Sequence, residues 1–409
     1  MPKYKGIVIS DVHVGAMDIE KLHNEYNEIF INKIKQMKTL DFVIIAGDFF
    51  DRKFYLSDKE STMAYIMLKE VLLACKEKNA VLRIVYGTES HECNQYDILS
   101  LLKIYDKIEV IKTVKDEELL PGLNILYLPE EHILDKHEYY SDFFNKRKYY
   151  NYIFGHGVVR EVMKNIAVHV DNNTGKNKTK RKKVPVFNSA ELLEICKGQV
   201  YFGHYHINEE YDNKIFSISS FSRWKFGEEG RKGFYILKCD TDKDKYEQTF
   251  IENTIADSYK TISFGFKNEM FENETSLKES LDGIDAMIKR EPYKHMRFIF
   301  NIPTDIENPE SAINYIKERY KQNEYTKIDI TNGYIEQKRK QDKEKIENDN
   351  EKYSFIEDPN IKLSDKISKF IEIVYEKTIP NKNIDLYLYN TLSEILDNVE
   401  NINNLTLNN

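Results

Sequence analysis

Residues 41–51 read DFVIIAGDFFD, and this stretch decides the fold prediction. Positions 42–46 form an apolar run rich in β-branched side chains, which is typical of a buried strand. The run ends in Gly47 and Asp48, so a carboxylate follows the strand directly. An α/β sheet places its functional loops at the carboxyl ends of its strands. The stretch therefore predicts a buried strand with functional residues at its carboxyl end.

Five further runs of strand length share this arrangement in the N-terminal half of the chain. The runs are GIVIS (6–10), VLRIVYG (81–87), LNILYLP (123–129), YNYIFGH (150–156) and QVYFGHYH (199–206). A helix opened by Ser57 or Asp58 is predicted before the run at 81–87. Its apolar residues are Met63, Ile66, Met67, Val71 and Leu72. Short strands that alternate with helices favour an α/β domain built in layers.

The composition of the whole chain limits the classes of protein to which it can belong. With 409 residues, 41% of them hydrophobic, the chain is long enough for two or three domains with real cores. We expect a soluble, cytoplasmic protein, because the chain has neither a run of about 18 apolar residues nor the N-terminal pattern of a secretory signal. The four cysteines are scattered without a C-x-x-C pair, which argues against a disulfide framework and a structural zinc site.

Four parts are predicted along the chain. The α/β domain covers residues 1–255. Strand and helix patterns then alternate as β-α-β-α-β over residues 256–333, which predicts a small second domain. Residues 334–358 are a charged linker, because 337–350 (QKRKQDKEKIENDN) hold one apolar residue and cannot bury a core. Apolar periodicity returns in residues 359–402 and predicts a C-terminal helical segment.

Five short clusters rich in Asp and His follow apolar strands, in a fixed order. They are Asp11-Val12-His13, Gly47-Asp48-Phe49-Phe50-Asp51-Arg52, Gly87-Thr88-Glu89-Ser90-His91-Glu92, Gly155-His156 and Gly203-His204-Tyr205-His206. A single histidine after a strand is more often a hydrogen-bonded loop residue than a metal ligand. Five such clusters together predict a site for two metal ions. The mixture of carboxylates and imidazoles suits Mn²⁺, Fe²⁺ or Zn²⁺ better than ions that are held by oxygen alone.

The order D-x-H, G-D-x-x-D, a loop ending in H-E, G-H and G-H-x-H resembles the signature of the calcineurin-like metallophosphoesterases. Within that superfamily the chain is similar to the SbcD family of DNA nucleases, over roughly its first 240 residues and more weakly beyond them. Two segments favour the nuclease branch: residues 11–15 (DVHVG) and 219–234 (SSFSRWKFGEEGRKGF). The resemblance implies a layered α/β sandwich with a small α+β capping domain and C-terminal helices.

Position by position, the resemblance also implies a role for each site residue. Asp11, His13 and His206 would hold a first ion, His156 and His204 a second, and Asp48 would bridge the two. His91 would stabilise charge or donate a proton beside the scissile phosphate. Asp51 or Glu92 would orient the histidines. Two Mn²⁺ ions are implied, with Fe²⁺ or Mg²⁺ as alternatives.

One position departs from the family pattern. The family has an asparagine before the catalytic histidine, where this chain has Ser90. A hydroxyl is a shorter and poorer neutral ligand than an amide oxygen. Three candidates for completing the second metal site therefore stay open, namely Ser90, Glu89 and water.

The resemblance implies a function and two alternatives to it. The function is Mn²⁺-dependent hydrolysis of DNA phosphodiesters at or near ends, by a homodimer in a repair or recombination complex with an SMC-like ATPase of the SbcC type. The first alternative is a metallophosphatase or small-molecule phosphodiesterase, because Gly47–Arg52 and His91-Glu92 also resemble serine/threonine phosphatases. The second alternative is a catalytically weak scaffold subunit that binds DNA, and the departure at Ser90 supports it. All three place the protein in the cytoplasm of a bacterial or phage-infected cell, away from membranes.

The C-terminal segment is the predicted docking site for the ATPase. Two amphipathic helices are expected there, separated by Pro380. Their apolar stripes comprise Ile367, Phe370, Ile371 and Val374 in the first helix and Ile384, Leu388, Leu392, Ile395 and Val399 in the second. A helical hairpin that packs on its own chain is the alternative interpretation.

The net charge of −8 does not favour DNA binding by the chain as a whole, so a local basic cluster is the candidate DNA contact. Its residues are Lys176, Lys178, Lys180, Arg181, Lys182 and Lys183. A second, weaker candidate is the run Lys146-Arg147-Lys148. The alternative for both is a merely solvated basic loop.

Neutralising the cluster at 176–183 is therefore expected to weaken DNA binding and to flatten its dependence on salt, because each lost phosphate contact releases about one counterion fewer. Binding is measured by fluorescence anisotropy over a salt series. Hydrolysis of a small chromogenic phosphodiester is the control and should hardly change. Equal loss on both substrates would show that the cluster serves folding and not DNA binding.

Overall fold

The computed structural model describes residues 3–55, 57–99, 105–145, 149–163, 186–265, 274–290, 293–301, 309–320 and 326–331. The two predicted basic clusters, the charged linker and the C-terminal helical segment lie outside these residues.

The first six-stranded sheet contains the buried strand that was predicted at residues 42–46. Its strands are β1 (Lys3–Ile9), β2 (Phe42–Ala46), β3 (Val81–Val85), β4 (Ile108–Ile111), β13 (Gly233–Asp240) and β14 (Lys245–Glu252). Their order is β14-β13-β1-β2-β3-β4. β1 to β4 run parallel, whereas β13 and β14 are antiparallel to their neighbours. β2 is buried over its whole length because it lies at the centre with both faces covered, which explains its unbroken apolar run.

The second six-stranded sheet is also mixed. Its strands are β5 (Lys115–Leu120), β6 (Leu123–Leu128), β7 (Tyr150–His156), β10 (Cys196–Gly203), β11 (Asn208–Tyr211) and β12 (Ile215–Ile218). Their order is β11-β12-β10-β7-β6-β5, and the four central strands are parallel. The strands β8 (Val158–Val159) and β9 (Val186–Phe187) form a separate parallel pair. All six sequence-predicted runs lie in strands of the two large sheets.

The helices of this part of the chain cover the outer faces of the two sheets. Beside the first sheet lie α1 (Ile19–Glu25), a π-helical turn (Tyr26–Ile31), α2 (Asn32–Gln36) and α3 (Lys59–Lys78). A short helix, α4 (Glu89–Glu92), and a 3₁₀ turn (Gln95–Asp97) follow β3. Beside the second sheet lie α5 (Lys136–Phe144), a 3₁₀ turn (Arg160–Met163) and α6 (Ser189–Ile195). As predicted, α3 begins after Asp58, but Ile66 of its expected apolar stripe is exposed.

Three apolar cores hold four layers together, in the order helix, sheet, sheet, helix. The central core lies between the sheets, where the Phe42 ring centroid is 6.2 Å from that of Tyr152 and 6.4 Å from that of Phe154. The outer cores join each sheet to its helices. The predicted α/β class, built in layers, is confirmed at this level. None of the helices in the described ranges is both long and apolar enough to cross a membrane.

A further set of elements follows in the order predicted for residues 256–333. It consists of β15 (Tyr259–Gly265), α7 (Glu274–Arg290), β16 (His295–Asn301), α8 (Pro309–Tyr320) and β17 (Thr326–Thr331). The three strands form one sheet with β16 in the middle. Most of α7 and all of α8 belong to a second compact unit, in which Arg319 of α8 pairs with Asp282 and Asp285 of α7. The domain boundary at residue 255 stays a prediction.

The close approach of the two sheets at Gly203 generates a test of this architecture. A Cβ at Gly203 would lie 1.8 Å from Ser10 Oγ and 2.7 Å from the Ala46 carbonyl oxygen, which belongs to the backbone and cannot move aside. We expect Gly203→Ala to lower the free energy of unfolding by about 1–3 kcal/mol or more, measured by urea denaturation.

Gly230→Ala is the matched control, because a Cβ there meets no described atom within 4 Å. Equal stability of the two variants would contradict the packing of β10 against β1 and β2.

Candidate metal centre

Sharp backbone turns follow the strands that carry the predicted ligands. Five of these residues have positive φ angles: Asp11 (50°), His13 (48°), Asp48 (50°), His204 (111°) and His206 (49°). Such a conformation is uncommon for residues other than glycine and costs of order 1–3 kcal/mol at each position. Backbone hydrogen bonds hold the turns in place, including Asp11 N to Gly47 O at 3.1 Å and His13 N to Asp48 O at 3.1 Å. Strain of this kind is concentrated at functional sites.

A first group of donor atoms is formed by Asp11, His13 and His206, whose ligand atoms all lie within 4.8 Å of one another. The Nε2 atoms of the two histidines face each other at 2.9 Å. Asp11 Oδ1 lies 3.7 Å from His13 Nε2 and 3.4 Å from His206 Nε2. Three donors from the ends of β1 and β10 therefore converge on one point.

A second group is formed by Asp48, His156 and His204 within the same limit. His156 Nδ1 donates to the Ala46 carbonyl oxygen at 2.8 Å, which directs Nε2 toward Asp48. His156 is buried, and its Nε2 lies 3.2 Å from Asp48 Oδ2. Even so, this nitrogen has no hydrogen bond of acceptable geometry to any part of the chain that the structure describes. A buried donor atom of this kind fits a metal ligand.

Asp48 faces both groups. Its Oδ2 lies 3.7 Å from His13 Nε2 in the first group and 3.2 Å from His156 Nε2 in the second. The same oxygen lies 3.0 Å from Nδ1 of His91, whose side chain is 29% exposed. The structure thus brings together every histidine and aspartate that the sequence assigned to the two ions, with His91 at the solvent side.

Carboxylates behind the first group fix the orientation of its rings. Asp51 Oδ1 lies 3.1 Å from His13 Nδ1, as the sequence analysis expected. Glu228 Oε1, which that analysis did not select, lies 2.7 Å from His206 Nδ1. Each ring therefore presents Nε2 to the group, because its other nitrogen is held by a carboxylate.

Glu92, unlike Asp51, holds a backbone N–H group. It is fully buried, and its Oε1 accepts from the backbone N–H of Phe49 at 3.3 Å. Burial, assisted by the nearby charge of Asp48, raises the pKa of Glu92 to about 8. Glu92 therefore supports the loop that presents Asp48.

The loop that departs from the family pattern brings a different residue to the site. Ser90 and Glu89, two of the candidates for completing the second site, are both exposed. Thr88 instead donates to Asp48 twice, from its backbone nitrogen to Oδ1 at 2.7 Å and from Oγ1 to Oδ2 at 3.2 Å.

Glu130 is a further residue that the sequence analysis did not select. Its Oε2 lies 3.1 Å from His204 Nδ1 and 3.3 Å from Thr88 Oγ1. The run LNILYLP ends one residue before Glu130, so the rule that found the other ligands applied here as well.

Charge is balanced within the site. Burial opposes ionisation of Asp11, but hydrogen bonds from His13 and His206 outweigh it and hold the pKa of Asp11 below its usual range. Burial likewise opposes protonation of His13, but its hydrogen bonds to Asp11 and Asp51 raise the pKa to about 9. Burial also opposes protonation of His156, but the neighbouring charges of Asp48, Asp11 and Glu130 together outweigh it and raise the pKa to about 10. Because a histidine ligand must be neutral, a cation that binds here would release protons.

Comparisons with known proteins add little to this picture. No protein-family model and no curated protein matches the chain. One crystal structure is similar over 61% of this chain and 100% of its own, at 14% sequence identity and a TM-score of 0.33. That similarity is too low to support an argument about family or function.

The single tryptophan of the chain provides a way to observe metal binding. The Trp224 ring centroid lies 4.9 Å from that of His13 and 5.0 Å from that of His206. A paramagnetic ion in the first group should therefore quench its fluorescence. Glu228→Ala is expected to weaken Mn²⁺ binding by about 10–100-fold, because His206 Nδ1 then loses the acceptor that orients the ring.

Glu229→Ala is the matched control for this titration, because Glu229 is exposed and accepts from Thr261 N and not from a histidine. Identical quenching curves for the two variants would contradict the role given to Glu228.

Proposed function

We propose that the chain is a two-metal phosphodiesterase of the calcineurin-like type. One observation carries this proposal: two groups of Asp and His donors lie on either side of a shared carboxylate, Asp48. The donors follow strands of both sheets, as the sequence resemblance implies for this superfamily. The donor set suits Mn²⁺, Fe²⁺ or Zn²⁺, and we propose Mn²⁺ from the resemblance.

The residues of the site have distinct tasks in phosphodiester hydrolysis. Bound divalent cations would supply Lewis-acid polarisation of the phosphate and of water. Asp11, His13 and His206 would hold one cation and His156 and His204 another, and Asp48 lies between the two groups. Asp51 and Glu228 keep two of the rings in place through Nδ1.

His91 is the candidate acid or electrostatic group. Its Nδ1 lies against Asp48 Oδ2, so Nε2 is the nitrogen left to face a substrate. A ring held by a carboxylate in this way can donate a proton to a leaving oxygen or stabilise charge on the phosphate. Its partial exposure places it where a polymer could reach it.

We further propose that the substrate is DNA and that the partner is an SMC-like ATPase. Both parts of this proposal rest on residues 11–15 and 219–234, which resemble the nuclease branch. The second of these segments supplies Glu228 and Trp224, and both contact the first group. Ser90 is exposed and Thr88 contacts Asp48 in its place, so the departure on which the scaffold alternative rests remains.

Asp48→Asn is expected to abolish Mn²⁺-dependent cleavage of DNA while the fold survives, because a neutral amide cannot hold two cations together. His91→Ala should keep Mn²⁺ affinity and lose at least about 100-fold in rate. Activity is measured on end-labelled DNA with Mn²⁺, Mg²⁺ or EDTA, and metal binding by calorimetry.

Asp242→Asn, an exposed change in the turn between β13 and β14, is the control and should behave as the wild type. Full activity of Asp48→Asn would refute the two-metal mechanism. Hydrolysis of p-nitrophenyl phosphate without DNA cleavage would support the phosphatase alternative, and DNA binding without hydrolysis of either substrate would support the scaffold.

A further inference from the structure

Glu130 is held rigidly at the edge of the second group. It follows β6 directly, and its backbone nitrogen donates to the Tyr86 carbonyl oxygen at 3.1 Å. The residue is 8% exposed, so its carboxylate is largely removed from water. A buried carboxylate is strongly destabilising unless cations or hydrogen-bond donors surround it.

The surroundings of Glu130 supply such partners. Its Oε2 lies 3.1 Å from His204 Nδ1, 3.9 Å from His156 Nε2 and 3.3 Å from Thr88 Oγ1. Two of these three atoms belong to the histidines of the second group. The third belongs to the residue that also donates to Asp48. The Glu130 oxygen therefore lies within 4 Å of both histidines of the group and is not confined to one ring.

The spacing of these atoms matches a coordination sphere. Donors at about 2.1 Å from one ion are separated from their neighbours by about 3.0 Å in octahedral and 3.4 Å in tetrahedral geometry. The separations of Glu130 Oε2 from His204 Nδ1 and of His156 Nε2 from Asp48 Oδ2, 3.1 and 3.2 Å, fall within this range, and that of Glu130 Oε2 from His156 Nε2 is longer, at 3.9 Å. His156 Nε2, buried and without a well-formed hydrogen bond in the described part of the chain, points into the same space.

We propose that Glu130 is a fourth protein ligand of the second metal ion, and that Thr88 positions it together with Asp48. This inference rests on the two-metal function proposed above. It resolves the departure at Ser90, because the ligand that the loop lacks comes from the end of β6. The second site then has two carboxylates and two imidazoles, so its affinity for a divalent cation is high.

A role in orientation alone is the competing explanation, because a carboxylate next to His204 Nδ1 could simply hold the ring. The two roles respond differently to substitution. Glu130→Gln keeps an acceptor oxygen for His204 but loses the charge that a ligand contributes. An orienting residue therefore tolerates glutamine, whereas a ligand does not.

The test is calorimetric titration of the full-length chain with Mn²⁺ after removal of metal by EDTA. We expect the wild type to bind two ions. Glu130→Gln should bind one ion with unchanged affinity and the other at least tenfold more weakly, and Trp224 quenching from the first group should persist. Glu131→Gln is the matched control, because Glu131 accepts from Val114 N and Tyr139 and should leave both affinities unchanged.

Two results would overturn the inference in distinguishable ways. If Glu130→Gln binds both ions as the wild type does, Glu130 is not a ligand and the two-metal function stands. If the wild type binds no Mn²⁺, the proposed function itself fails. Should Glu130→Gln not fold, Glu130→Asp replaces it: the carboxylate is withdrawn by one methylene, and an unchanged second affinity would again exclude Glu130 as a ligand.

Discussion

The hydrogen bond from His156 Nδ1 to the Ala46 carbonyl oxygen is the interaction on which the rest of the site depends. It joins the carboxyl end of β7 in one sheet to that of β2 in the other. No space for a side chain exists at this junction, because a Cβ on Gly47 would lie 2.2 Å from His156 Nδ1. The left-handed turn at Gly47 (φ 86°) then directs Asp48 toward both groups of donors. The packing of the two sheets at this junction therefore also fixes the position of the shared carboxylate, Asp48.

The candidate ligands were predictable from the sequence because one rule covers them. Asp11, Asp48, His156 and His204 each stand at or just after the end of a buried parallel strand, and apolar runs are visible in a single sequence. The edge strands β4, β5, β11 and β14 were not predicted, since they are only partly buried and have no continuous apolar run. The α/β class follows from the central strands alone.

The residues around the ligands were harder to predict, for a physical reason. Glu228 acts through a contact that a turn creates between distant parts of the chain, and it does not follow a strand directly. Thr88 does follow a predicted strand, but it is neither a carboxylate nor an imidazole. Glu130 does follow one, but a second acidic residue stands beside it, and only the structure shows that Glu130 Oε2 faces His204 while Glu131 faces Val114. Sequence periodicity gives the face of a strand, whereas the direction of a loop side chain depends on tertiary contacts.

A third carboxylate, Glu130, would alter how the site binds a phosphate-containing substrate. Asp11, Asp48 and Glu130 together place three negative charges where, in the proposed function, a phosphodiester would bind, and a phosphate near them is repelled unless cations intervene. Histidines balance part of this charge, but they lose their protons when they become ligands. Substrate affinity and metal occupancy are then thermodynamically coupled: the cations raise the affinity for phosphate, and phosphate raises the affinity for the cations by the same factor. In the proposed phosphodiesterase, a third buried carboxylate in place of a neutral amide would strengthen this coupling, because the cations must neutralise more negative charge before phosphate can bind.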